Sequence, residues 1–547
     1  MQPQGDGWFV AIAPCTAQTR YRYRVRPDLA VPDPASRAQA GDVHDPSLVI
    51  DPRAYAWRNA DWRGRPWHET ILYEAHAGLL GGFAGLTQRL PELAALGITA
   101  LELMPVADFP GPRNWGYDGV LPFAPDRAYG TPDELKALID QAHGLNLMVF
   151  LDVVYNHFGP DGNYLGAYAS PFFRNDVTTP WGPAIDFSRP QVRRFFIENA
   201  LYWLMEYRFD GLRLDAVHAI GDAGWLDELA TEVRQTIEPG RHVHLVLEHD
   251  GNAASHLTRG FNAQWNDDAH HVLHVLLTGE GDGYYGDYAD APAQHLARCL
   301  AEGFAYQGEP SPYRDGESRG QPSAHLPPTS FVLFLQNHDQ VGNRAFGERL
   351  NQLCPSDSLM AATALLLLSP QIPLLFMGEE WDSTSPFLFF TSHNDALAAA
   401  VRDGRRREFA RFPAFASAEG QSRIPDPNDP ATFLASHPLP PGSTASRTWH
   451  DLVRYLLTIR REAIVPHLPG ARAVQSRAIG AAAVHTTWRL GDRSTLAIVA
   501  NIGPETVSCG PIDGRVLFAT DKAVTRHVAA GNMPPRSLIA FLDDTSS

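Results

Sequence analysis

Residues 209–220 read FDGLRLDAVHAI, an apolar run interrupted by an arginine and an aspartate two positions apart. In an extended chain Arg213 and Asp215 project to the same face. They fit a structural ion pair, which a large interior tolerates when both groups are hydrogen-bonded. They equally fit a carboxylate kept ionised for chemistry at a strand end, and these twelve residues leave both readings open. Other strand-like runs end in the same way. Asp152 and His157 close LMVFLDVVYNH (147–157), Glu248 closes HVHLVLEHD (242–250), Asp267 and Asp268 lie in AQWNDDAHH (263–271), and His338 and Asp339 close SFVLFLQNHD (330–339). Chance rarely puts acids at the ends of five such runs in succession. No Cys/His metal spacing and no glycine-rich phosphate loop accompanies them. The chemistry this set suits is glycoside hydrolysis, in which one carboxylate is nucleophile or base and a carboxylic acid protonates the leaving oxygen. Trp115, Tyr117, Trp265 and Trp381 could stack on sugar faces, although each taken singly fits the core better.

The elements that must position these groups form a repeating pattern. ILYEAHAG (71–78), ITALELMPV (98–106), GLRLDAVHAI (211–220) and IPLLFMGEE (372–380) bring the strand-like runs to eight. Helical periodicity separates them at 85–96, 131–143, 190–207 and 223–237, and a last helix is expected near 447–463. Thr131 is placed to cap its helix, with Pro132 at the first helical position. Apolar strands alternating with helices mean a parallel sheet covered on both faces. Eight units over this length predict an α/β fold, a (β/α)₈ TIM barrel with its chemistry at the C-terminal strand ends. Residues 1–62 read as a short N-terminal β-sandwich remnant, 63–475 as the catalytic barrel with loop excursions, and 476–547 as a C-terminal all-β domain. The Pro- and Ser-rich stretch 421–446 reads as a long loop on the barrel.

At 547 residues the chain is too long for one core. A net charge of −17 argues against nucleic acid, which wants a basic face, and against anionic lipid. The longest apolar stretch, AATALLLL (361–368), is too short to span a bilayer. Four scattered cysteines suggest neither a disulfide framework nor a zinc site. MQPQGDGWFV lacks the basic start and apolar core of a signal peptide. A cytoplasmic protein without metal or cofactor is the expectation, and histidines away from the strand ends, such as His393, are expected to be solvated.

DVVYNH (152–157), GLRLDAVH (211–218), LVLEHD (245–250) and FLQNHD (334–339) resemble, in order, the four signature segments of the α-amylase family of glycoside hydrolases. The resemblance implies Asp215 as nucleophile, Glu248 as general acid/base and Asp339 as transition-state stabiliser, with Arg213 bonded to Asp215. PDPASR (32–37), ELMPVADFPGPRNWGYDGVLPFAP (102–125), AQWNDDAHH, NHDQVGNRAFGERL (337–350) and PLLFMGEEW (373–381) are similar to the trehalose-releasing branch of that family. That likeness implies maltooligosyl trehalose as substrate. It implies Tyr117, His157, Arg213, His218, Asn266, Asp267, Asp268, His270, His338, Gln340 and Asn343 as sugar-binding residues. An isoamylase-type debranching enzyme or a glycogen branching enzyme shares the acids and is the alternative. A non-catalytic glycan-binding relative would be expected to have lost one of the three acids.

Overall fold

The computed structural model describes residues 1–5, 8–179, 182–410, 412, 415–439 and 442–544. Its centre is a closed barrel of eight parallel strands: β1 (Leu72–Ala75), β2 (Ala100–Leu103), β3 (Met148–Val153), β4 (Gly211–Leu214), β5 (His244–Leu247), β6 (Ala263–Trp265), β7 (Phe331–Phe334) and β8 (Ile372–Phe376). Each falls within one of the eight apolar runs. Only the leading part of each run is strand, and its polar tail turns out onto the rim.

Inward-facing Leu72, Ala100, Met148, Phe150, Val246, Ala263, Trp265, Val332, Phe334, Ile372 and Leu374 fill the barrel and are fully buried. The barrel interior is therefore packed core, and the cleft lies above it. A second, larger apolar cluster seals the strands against the surrounding helices, α1 (Gly82–Leu96), α2 (Pro132–Gly144), α3 (Pro190–Met205) and α4 (Ala223–Thr236) among them. Thr131 and Glu134 form a reciprocal capping box at the start of α2, with Pro132 in its first turn. Register carries the polar residues to a common height. Asp152 pairs with Arg213 across β3 and β4, Arg213 with Val246 on β5, and Glu74 with Glu102 across β1 and β2.

The flanks are β-rich. The N-terminal segment forms antiparallel two-stranded ribbons, pairing Gln2–Gly5 with Trp8–Val10, Arg20–Tyr21 with Ser47–Leu48, and Tyr23–Arg26 with Leu29–Val31. The C-terminal sheet has five antiparallel strands, β9 (Arg472–Gly480), β10 (Ala483–Arg489), β11 (Thr495–Asn501), β12 (Arg515–Ala519) and β13 (Ser537–Asp543), in the order β9-β10-β11-β13-β12. It is not β alone, as its pattern suggested. Asp521 caps a helix, Lys522–Ala529, whose Val524 and Val528 are buried one turn apart against Val499 and Ile539. The 421–446 stretch likewise holds a helix, Pro430–Ala435, capped by Asp429.

Candidate active site

The Arg213 guanidinium joins the acids. One nitrogen, Nη1, donates to Asp152 Oδ2 at 2.8 Å and to Asp215 Oδ1 at 2.7 Å. Nη2 lies 3.7 Å from Glu248 Oε2. The cation rests 4.2 Å above the Trp265 ring and is buried, so water screens its charge less than it would at the surface. Tyr117 donates to the same Asp152 oxygen at 2.6 Å. Asp152 thus orients Arg213 from below, and burial, partly offset by Arg213, raises its own pKa to about 6.

Asp215 also accepts from Asn156 Nδ2 at 3.3 Å. The next residue, Ala216, has φ of 39° and ψ of 47°, left-handed backbone that costs an alanine roughly 1–3 kcal/mol. That conformation aims its N–H at Glu248 Oε2, 2.5 Å away. Burial pushes the Glu248 carboxyl well above the usual glutamate range; Arg213 opposes this, and Asp215, Asp267 and Asp339 add to it. Asp339 lies in the first turn of the short helix His338–Gly342 and accepts from Asn343 Nδ2 at 2.5 Å.

His338 is held from β1. Glu74 accepts from its backbone N–H at 2.9 Å and bonds its Nδ1 at 2.5 Å. Burial opposes protonation of this ring, but the charge and hydrogen bond of Glu74 outweigh it and the pKa is raised. Tyr117 stacks on His338 with ring centroids 5.0 Å apart, and the Tyr117 carbonyl bonds His157 Nε2 at 2.9 Å. Gln340 faces a tyrosine pair, accepting from Tyr284 and Tyr285 hydroxyls at 3.2 and 3.4 Å.

Three of the expected sugar contacts, Asn266, Asp268 and His270, are engaged by internal bonds and packing. The NDDAHH segment is the start of helix α5 (Asp267–Thr278), not strand. Asn266 is buried as its N-cap, and its amide donates to the Gly303 carbonyl at 2.7 Å. Asp268 is 0% exposed. Its oxygens are taken by Tyr288, Arg319, Asn252 and the backbone of Ala305 and Tyr306, all within 2.6–2.9 Å. His270 is buried against Phe334 and His274. These three hold the helix and the loops behind it. Asp267 does sit among the acids: burial and then Asp339 raise its pKa to about 7. Trp115, Trp265 and Trp381 are core, as the bland reading of each had it. His393 is not solvated; its side chain is 2% exposed and its Nε2 lies 3.5 Å from Asp118.

Glu74, Tyr284 and Tyr285 were missed. Glu74 lies within the apolar run ILYEAHAG, and nothing in that run by itself marks its acid. The aromatic run GYYGDY (283–288) was the available signal for the tyrosines.

A closed parallel barrel with clustered carboxylates at its C-terminal rim is the arrangement of a glycoside hydrolase, and its match to known families makes it one of the α-amylase type. The family model described as alpha amylase, catalytic domain, matches residues 50–171, and one described as a domain of unknown function (DUF3459) matches 471–539. The malto-oligosyltrehalose trehalohydrolase of Deinococcus radiodurans is 40% identical over 481 residues, covering 85% of this chain and 78% of the relative. That of Rhizobium sp. (strain M-11) is 38% identical over 569 residues, covering 99% and 92%. Among solved structures, a putative alpha amylase from Salmonella typhimurium superposes with a TM-score of 0.92 at 45% identity, covering 100% of this chain and 94% of that one. The chain belongs to the malto-oligosyltrehalose trehalohydrolase family.

Proposed function

We propose that the protein hydrolyses the α-1,4-glucosidic bond next to the terminal trehalose of maltooligosyl trehalose, releasing trehalose and a maltooligosaccharide with retention of configuration. The observation that carries the mechanism is the single buried guanidinium of Arg213, shared between Asp152 and Asp215 at hydrogen-bond distance and 3.7 Å from Glu248. Arg213 holds Asp215, the nucleophile, in direct hydrogen-bond contact and so fixes the carboxylate in place for attack. Glu248 is only flanked by Arg213, and desolvation lifts its carboxyl well above the usual glutamate range, which suits it to act as the acid.

In the first step Asp215 attacks the anomeric carbon while Glu248 gives its proton to the leaving trehalose oxygen. A covalent glycosyl–enzyme ester forms. Glu248, now a carboxylate, then takes a proton from water, which cleaves the ester and restores both acids. Asp339, carried on the helix that Glu74 holds through His338, stabilises positive charge developing at the sugar ring. Tyr117, His157, Arg213, His218, Asp267, His338, Gln340 and Asn343 are the remaining candidates for sugar contact. A polar site shaped for the kinked α,α-1,1 linkage leaves hydrogen bonds unmade with a straight chain, which is how such sites discriminate.

The test is product analysis with maltotriosyl trehalose beside maltopentaose and a branched glucan. Trehalose and maltotriose, the latter first seen by NMR as its α-anomer, are expected. Equal kcat/KM for maltopentaose would remove the trehalose specificity, preferential cleavage of the branched glucan would favour a debranching enzyme, and a first-formed β-anomer would show inversion.

A further inference from the structure

Immediately beyond the acids the rim carries a cluster that the proposed reaction does not use as a unit. His218 lies on the turn Val217–Ile220 after β4, and His249 and Asp250 directly follow Glu248 after β5. One ligand atom from each of the three lies within 4.8 Å of the other two. His218 Nδ1 is 3.6 Å from Asp250 Oδ1, and the two imidazole centroids are 5.8 Å apart. The His218 and Asp250 side chains are 32% and 46% exposed, so the cluster opens to solvent.

Both rings accept hydrogen bonds at Nδ1, His218 from the Asp250 N–H at 3.4 Å and His249 from the Gly251 N–H at 2.9 Å. A ring nitrogen that accepts carries a lone pair, which is the form a metal takes. Two imidazoles and one carboxylate are a donor set for zinc and its neighbours; calcium and magnesium want oxygen throughout.

We propose that His218, His249 and Asp250 form a binding site for a divalent transition-metal ion of the zinc class, three protein ligands with the remaining position open to the cleft. Zinc bonds of ~2.0–2.2 Å place tetrahedral ligands roughly 3.4 Å apart. The ligand atoms, within 4.8 Å of one another, reach that spacing by closing at most about 1.4 Å, which the solvent-facing His218 and Asp250 side chains allow, with the metal replacing the two backbone donors. Arg314 bonds the other Asp250 oxygen at 2.8 Å, and Arg319 holds the Asp250 carbonyl at 2.8 Å. These arginines fix the loop and lower the affinity for a cation. His256 is not among the clustered ligand atoms; its ring centroid lies 6.3 Å from that of His249. Resting on the proposed function, an occupied site has a consequence: His218 is drawn from the sugar to the metal, so zinc raises KM and spares kcat.

The experiment uses the full chain, stripped with chelator and titrated with Zn²⁺ by calorimetry and with Co²⁺ by visible absorption. Wild type is expected to bind one equivalent more than His249→Asn, and its cobalt d–d bands to appear without the thiolate charge-transfer band that exposed Cys15 would give. Asp250→Asn is the second variant, with thermal melting to show that both variants fold. Equal stoichiometry and affinity in wild type and both folded variants would overturn the site. Hydrolysis read in the same samples should show KM rising at least tenfold with saturating zinc in wild type and not in His249→Asn. An unchanged KM at full occupancy would overturn the inhibitory role. The binding readout holds whatever the substrate, so failure of the reaction assignment is separable from failure of the site.

Discussion

Two pairs of acids on one rim show opposite behaviour. Asp215 and Glu248 extend from neighbouring strands, β4 and β5, whose pairing puts both beside the same guanidinium. Asp267 and Asp268 are consecutive in the first turn of α5. A helix turns about 100° per residue, so neighbours in sequence part company. Asp267 faces Asp339 and the cleft, while Asp268 faces Arg319 and Tyr288 with no exposed surface. Strand ends gather acids from distant parts of the chain, whereas a helix start separates adjacent ones.

Four substitutions sharpen that contrast. Asp215→Asn keeps the side chain's shape and removes the carboxylate proposed to attack. Turnover should fall roughly 10⁴–10⁶-fold with substrate still bound, the scale seen when a covalent nucleophile is lost. Single-turnover assay with a binding isotherm reads both, and near-normal turnover would mean that another group attacks. Glu248→Gln should cost about 10²–10⁴-fold. Activity needs the protonated acid, so it declines as pH rises through the raised pKa of Glu248, and this limb should vanish in the variant. Its persistence in residual activity would assign the acid elsewhere.

Asp268→Asn tests the other pair through stability. Removing one charge of a buried ion pair typically costs about 3–5 kcal/mol, and the amide would also meet donors where an oxygen stood. Denaturant unfolding should show the loss, and a wild-type midpoint would return Asp268 to the list of possible sugar contacts. Asp267→Asn should have the smallest effect and the opposite sign. Its folded pKa of about 7 lies above the ordinary aspartate value of about 3.9, so the folded state binds the proton more tightly and wild-type stability is lost as pH rises from about 4 to 7. The variant should melt ~2–4 °C above wild type at pH 8 and close to it near pH 4. Equal melting at both would show that Asp267 is not desolvated.

The eight barrel strands, the capping of α2 and the acids at the strand ends were legible because they rest on local signals: apolar runs, a Thr-Pro start, and carboxylates directly after them. The helix Lys522–Ala529 was overlooked because its buried face is only two valines wide. The loop stretch 421–446 hid a helix behind its prolines, one of which, Pro430, sits in the helix's first turn. Glu74 could not be recognised from its own run, since its partner His338 comes from the far side of the barrel closure, where β8 pairs with β1.

By itself the sequence determined the barrel, the identity and order of the rim acids and the family, because strand period, cap chemistry and motif order are properties of consecutive residues. Tertiary structure alone decided the surroundings each acid meets there. Whether a carboxylate is anionic, protonated or locked in a buried pair depends on which guanidinium, N–H and solvent it meets. Those partners arrive from other strands through register and closure: Arg213 onto Asp152 and Asp215, the strained Ala216 N–H onto Glu248, Arg319 onto Asp268, and His218 beside His249 and Asp250.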